Sequence, residues 1–101
     1  MKAKKLTKKQ IQALVKKYPD WSLNKPETKL VATLTFNKHV EAMVFLARMT
    51  VHVEVLNHHP EVLFTYKKLK ITTTTHDVDG LSTKDSELIK RIEHLRVAGG
   101  E

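Results

Sequence analysis

Residues 56–76 read LNHHPEVLFTYKKLKITTTTH. Pro60 sets the reading of this stretch. Proline lacks an N–H and pushes the residue before it out of the α region, so His59 must be extended. A helix arriving from the N-terminal side therefore ends near residues 56–58. Beyond Pro60 the residues are rich in β-branched and aromatic types. Two strands are expected, at about 62–66 and 69–76. The Lys67-Lys68 pair between them lacks the Asn-Gly that tight hairpins favour, which leaves the turn type open. In the second strand Leu69, Ile71, Thr73 and Thr75 share one face, and Lys70, Thr72, Thr74 and His76 the other.

Upstream of the quoted stretch, Val40, Met43, Val44, Ala47, Val51 and Val55 recur at helical spacing. They predict a long amphipathic helix over about 38–56, with Asn37 as its N-cap and this stripe turned to the core. Met43 and Met49 read as fillers of core gaps. Before it, KLVATLTF alternates: Leu30, Ala32, Leu34 and Phe36 oppose Val31, Thr33 and Thr35, the period of a strand. A short strand over 21–25 pairs with it across the proline turn NKPE at 24–27. Nearer the start, Thr7 and Gln10 have capping-box spacing, and Ile11, Leu14, Val15 and Tyr18 follow at helical spacing. That helix covers about 7–17 and stops at Pro19. Downstream, HDVDGL at 76–81 is a loop in which Gly80 is free to take positive φ. Ser82 and Asp85 repeat the capping spacing, and Leu88, Ile89, Ile92 and Leu95 carry a last helix to about 97. The order is α-β-β-α-β-β-α. It predicts an α+β fold, a four-stranded antiparallel sheet with helices packed on one face. One domain spans 1–101, with a basic N-terminal segment at 1–9 and a frayed tail at 98–101.

Composition narrows the function classes. With 41% hydrophobic and 29% charged residues the chain is ordinary for a globular domain. It has no apolar run of membrane-spanning length, and its basic start lacks the apolar region of a secretory signal, so a soluble, cytoplasmic protein is expected. The chain has no cysteine. Disulfides, thiolate metal sites and cysteine nucleophiles are thereby excluded. The net charge of +7 arises in one place: lysines 2, 4, 5, 8, 9, 16 and 17 precede the first acidic residue. An acidic partner could exploit that segment. The expectation is that these lysines are solvated and that nucleic acid is not a partner.

The histidines are the chemical signal. His58 and His59 precede the first strand of the hairpin and His76 ends the second, so an antiparallel pairing makes their positions neighbours. Glu54 lies one helical turn before His58, and Asp77 follows His76. Three readings compete. The rings could cap a helix end and bond loop carbonyls. They could bind a metal, although adjacent His58 and His59 lack the i, i+4 spacing of helix-borne ligand pairs. They could perform acid–base chemistry, since imidazole both donates and accepts protons near neutrality. His39 and His94 fall at helix ends away from this group, with His94 in a place that the helix dipole favours. His52 reads as surface or partner-facing.

Two motifs then stand together. EVLNHHPEV at 54–62 and ITTTTHDVDGLSTKDSEL at 71–88, with Tyr66 between them and Trp21 before the long helix, resemble the pterin-4a-carbinolamine dehydratase family. The resemblance covers about 7–96. It implies the same element order and a metal-free, cofactor-free dehydration of 4a-hydroxytetrahydropterin to quinonoid dihydropterin, which recycles tetrahydrobiopterin. It implies acid–base roles for His58 and His76, with His59 mainly holding the pterin. It places Glu54, Asn57, Pro60, Thr74 and Thr75 around the pterin. Asp85 matches the aspartate of the Gly-Leu-Ser motif and reads first as a helix cap, second as a pocket residue. Two positions depart from the pattern: Val62 stands where an aromatic is usual, which would widen the pocket, and Lys67 where asparagine often follows the tyrosine. The resemblance also implies a homodimer or homotetramer. The competing expectation is a non-catalytic binding or assembly module of the same fold, acting through its sheet edge or basic N-terminus.

Overall fold

The computed structural model describes residues 2–99. Helix α1 covers Lys8–Lys17, strand β1 Ser22–Leu23, β2 Leu30–Thr35, helix α2 His39–Leu56, β3 Glu61–Thr65, β4 Lys68–Thr73 and helix α3 Thr83–Gly99. A single turn of 3-10 helix, His76–Val78, stands between β4 and α3. The strands form one sheet in the order β1-β2-β4-β3, and every pairing is antiparallel. The fold is the expected α+β arrangement. No helix among the described residues is long and apolar enough to cross a membrane.

Strand alternation works as period two demands. Leu30, Ala32, Leu34, Leu69 and Ile71 are buried beneath the helices, while Thr33, Thr35, Lys68 and Lys70 on the opposite face are exposed. Ile11 of α1, Trp21, and Leu88, Ile89 and Ile92 of α3 complete the core. Thr7 caps α1 as its spacing predicts, accepting from the Gln10 N–H while Gln10 Oε1 accepts from the Thr7 N–H. Trp21 is 1% exposed, and its indole N–H donates to Glu93.

The long helix corrects the sequence reading. The stripe Val40, Met43, Val44, Ala47, Val51 and Val55 faces outward; Val51 is 62% and Val55 67% exposed. The buried face is instead Ala42, Phe45, Met49, Val53 and Leu56. Both stripes have helical spacing, because α2 is apolar most of the way round. The sheet and α3 select the stripe with the larger side chains. Nor does Asn37 cap α2. The helix starts from Lys38 without a side-chain cap bond. Its first turn is held by His39, whose ring stacks on Phe64 and whose Nδ1–H donates to the Tyr66 carbonyl at 2.6 Å.

Other boundaries move for local reasons. β1 has two residues because Asn24 Oδ1 accepts from the Thr28 and Lys29 N–H groups and turns the chain early. β4 ends at Thr73, where β2 begins at Leu30 and the ladder runs out. Thr75 then pairs with Gly80 across the loop. The positive φ in that loop falls on Asp79, at 51°, and not on Gly80; aspartate tolerates the left-handed region. At the N-terminus, the Leu6 N–H donates to Leu81 O and Lys4 O accepts from the Thr83 N–H. Part of the basic segment is thus laid against the loop before α3. At the other end α3 runs through Gly99, so two residues of the expected tail continue the helix, and 100–101 lie outside the described residues.

Candidate functional site

The end of α2 fixes the first histidine. Asn57 is left-handed, with φ 50° and ψ 46°. Its N–H donates to Glu54 O, and the His58 N–H reaches back to Val53 O. These are the two backbone bonds of a Schellman ending, which a left-handed asparagine supports. They set the direction in which His58 leaves the helix. Pro60 then starts the run into β3, so His58 and His59 point to different surroundings.

His58 turns inward. It is 8% exposed, and Asp85, Ser82 and Thr73 are 0% exposed. His58 Nε2 lies 2.7 Å from Asp85 Oδ1. Thr73 donates its hydroxyl to the same oxygen. The other carboxylate oxygen, Oδ2, accepts from Thr75 Oγ1 at 2.6 Å and from the Ser82 N–H at 2.8 Å. Since Thr75 spends its proton on Asp85, the Ser82 hydroxyl donates to Thr75 across 2.7 Å and accepts from the Lys84 N–H. Four donors converge on the carboxylate. Burial alone would raise the Asp85 carboxyl; the bonds from His58, Thr73, Thr75 and Ser82 outweigh it and hold the group below its ordinary range. Asp85 is therefore ionised and paired, as a buried carboxylate must be to be tolerated.

His59 turns outward. Its Nε2 meets Glu54 Oε2 at 2.6 Å, with both side chains more than half exposed. His76 is exposed in the 3-10 turn, directly after Thr75 of the buried network. Adjacent histidines thus face different surroundings, His58 buried and His59 in solvent. Among the described residues no three His, Asp or Glu side chains gather as a metal-holding group.

The remaining expected residues divide. Asn57 and Pro60 shape the turn that carries the histidines. Thr75 and Asp85 belong to the buried network; Asp85 also keeps its expected capping bond through Ser82. Being wholly buried, it bonds to His58 and does not line an open surface. Thr74 points away: its hydroxyl donates to Thr28 O at 2.7 Å and approaches Gly80 O at 3.3 Å. Val62 is half-buried against the core and pairs with Ile71. His52 is half-buried, with Nδ1 3.3 Å from Arg91, and His94 is exposed. Sequence reasoning missed Thr73 and the Ser82 side chain as members of the network. One signal for Thr73 was available: it stands on the buried face of β4, where a polar residue needs a partner.

A sheet covered by helices on one side, with a buried histidine held by an aspartate at a helix–strand junction, defines the class of α+β domain. Comparisons with known proteins narrow the class. A model of the family described as pterin 4 alpha carbinolamine dehydratase matches residues 4–95. A protein of Novosphingobium aromaticivorans named "Putative pterin-4-alpha-carbinolamine dehydratase" is 34% identical over 93 residues, covering 92% of this chain and 97% of its own. A protein of the same name from Prochlorococcus marinus is 38% identical over 95 residues, covering 94% and 97%. The chain belongs to the pterin-4a-carbinolamine dehydratase family. Its fold also matches the crystal structure of a transcriptional coactivator/pterin dehydratase from Brucella melitensis. That match has a TM-score of 0.86 at 21% identity, over 91% of this chain and 98% of that one.

Proposed function

We propose that the protein dehydrates 4a-hydroxytetrahydropterin to quinonoid dihydropterin and so serves tetrahydrobiopterin recycling in the cytoplasm. The carrying observation is the buried His58–Asp85 pair, with exposed His59 following His58 in the chain and exposed His76 following Thr75 of the same network. The reaction breaks the C4a–O bond and forms a C4a=N5 double bond. The leaving hydroxyl takes up a proton and departs as water, and the N5 hydrogen leaves as a proton. No electron is gained or lost, so side-chain proton transfer suffices without a cofactor or metal. His58 and His76 carry the two proton transfers, and His59, steadied by Glu54, holds the pterin. Positioned transfer of this kind contributes about 10²–10⁴-fold in rate. Burial of Asp85 keeps its charge out of water, where it orients an imidazole more strongly than an exposed carboxylate would.

A homo-oligomer belongs to the same reading. The exposed valines 40, 44, 51 and 55 are spaced symmetrically about the Ala47–Arg48 midpoint. A two-fold contact between antiparallel helices needs that self-complementarity, residue i meeting j while j meets i. The free edge of β3 is a second surface that a copy of the chain could cover.

The test is the dehydration rate of 4a-hydroxytetrahydropterin generated in situ and followed by ultraviolet absorbance. The purified protein is compared with His76→Ala, both checked by circular dichroism. Acceleration by the wild type that the variant loses is expected. A folded wild-type protein with no acceleration overturns the reading and favours the non-catalytic module.

A further inference from the structure

The hydrogen bonds around Asp85 determine which nitrogen of His58 is free to react. Asp85 is an ionised acceptor, so the His58 Nε2 that faces it at 2.7 Å carries a proton. In the neutral ring the bare, accepting nitrogen is then Nδ1. Among the described residues no fully buried side-chain nitrogen or oxygen lacks a partner. His58 Nδ1 bonds to no group among the described residues, so it belongs to the small part of the ring that meets the surface, where His58 keeps 8% exposure.

We propose that His58 accepts the substrate proton through Nδ1, and that Asp85 is a positioning residue that sets this tautomer. The inference rests on the dehydratase reading for the identity of the proton, which is the one leaving N5. It does not rest on it for the tautomer. In the step, the Nδ1 lone pair takes the N5 proton, the N–H electrons form the C4a=N5 bond, and the hydroxyl leaves as water with a proton from an acid on the solvent side. His58 becomes an imidazolium whose Nε2–H remains on the carboxylate. It is reset when Nδ1 returns its proton to water.

The network also dictates what an isosteric change would do. Asp85 Oδ2 accepts from the Ser82 backbone N–H, a donor that cannot reverse its role. An asparagine at 85 must therefore put its carbonyl oxygen at the Oδ2 position and its NH2 at the Oδ1 position. The NH2 would then face His58 Nε2 and Thr73 Oγ1. Thr73 can turn its hydroxyl to accept. His58 can accept only by moving its proton from Nε2 to Nδ1. The reacting nitrogen would then carry a hydrogen and could not act as the base. The same substitution in a serine-protease triad leaves the geometry and lowers kcat by about 10⁴ through the wrong tautomer.

The experiment pairs kinetics with imidazole proton–nitrogen NMR on the wild type and Asp85→Asn, recorded where the rings are neutral. The wild type is expected to show His58 protonated on Nε2 and bare on Nδ1. Asp85→Asn is expected to move the proton to Nδ1, to lower kcat by about 10²–10⁴-fold, and to leave KM nearly unchanged. A wild-type His58 protonated on Nδ1 overturns the proposal, and this decides the matter even if the variant does not fold. A folded variant that keeps the wild-type tautomer and rate also overturns it. If the wild type shows the Nε2–H tautomer but no dehydratase activity, the functional reading fails and the tautomer assignment survives.

Discussion

Replacing Asp85 with alanine should be among the most destabilising changes in this chain. The carboxylate is 0% exposed and accepts from the His58 Nε2–H, the Thr73 and Thr75 hydroxyls and the Ser82 N–H. Alanine removes all four acceptances. The two hydroxyls can rotate toward other acceptors. The backbone N–H cannot, and the imidazole N–H keeps only the longer contact to Thr73 Oγ1 at 3.2 Å; each buried bond lost or weakened in this way costs about 1–3 kcal/mol. The sum, about 2–6 kcal/mol, brackets the ~3–5 kcal/mol expected for breaking a buried charged pair. A domain of this length has roughly 5–15 kcal/mol in total. With a urea dependence of ~2 kcal/mol per molar, the unfolding midpoint should fall by about 2 M. Trp21 reports the transition by fluorescence, since it is buried in the core and is the chain's one tryptophan. Glu54→Ala is the control, an exposed carboxylate with a single partner, expected to change stability by less than about 1 kcal/mol. Asp85→Asn should fall between them, because its NH2 can donate to His58 and Thr73. An Asp85→Ala variant that cost no more than Glu54→Ala would mean that the buried network does not hold these elements together.

The depressed Asp85 carboxyl makes a pH prediction with a definite sign. The unfolded chain binds its proton near the ordinary value of 3.8, while the folded chain resists doing so until lower pH. The stability from Asp85 is therefore fully present above about pH 4 and drains away as pH falls through the folded value. Urea midpoints measured down into that range should drop steeply for the wild type and more gently for Asp85→Asn; parallel curves would contradict the assignment. On the other face of α2, Val44→Glu together with Val51→Glu should shift the protein toward monomer in light scattering without loss of helical circular dichroism. An unchanged oligomer would place the contact elsewhere, with the β3 edge next to be tested.

Much of the fold was legible because it is local. Thr7 and Gln10 announced α1, the alternation of Leu30, Ala32 and Leu34 announced β2, and Pro60 announced the end of α2. Each depends on neighbours within a few positions. Errors arose where two local signals were equal or where the deciding partner was distant. Asn37 had the chemistry of a cap, yet the start of α2 is held by a His39 ring bonded 27 positions away at Tyr66. The resemblance places Thr74 and Thr75 alike around the pterin, yet one supports a loop and the other a buried carboxylate.

The sequence by itself determined the elements, because capping, strand alternation and the proline rule act over short stretches, while the motifs at 54–62 and 71–88 carried the resemblance to the family and the candidate histidines. Only the tertiary structure decided which stripe of α2 is core. Both have the helical period, and only the sheet beneath could choose between them. It alone paired His58 with Asp85, 27 positions apart, because chain folding and not spacing brings the end of α2, β4 and the start of α3 to one buried point. There an anion is tolerated only when its neighbours donate to it, and that requirement ties a helix cap to His58.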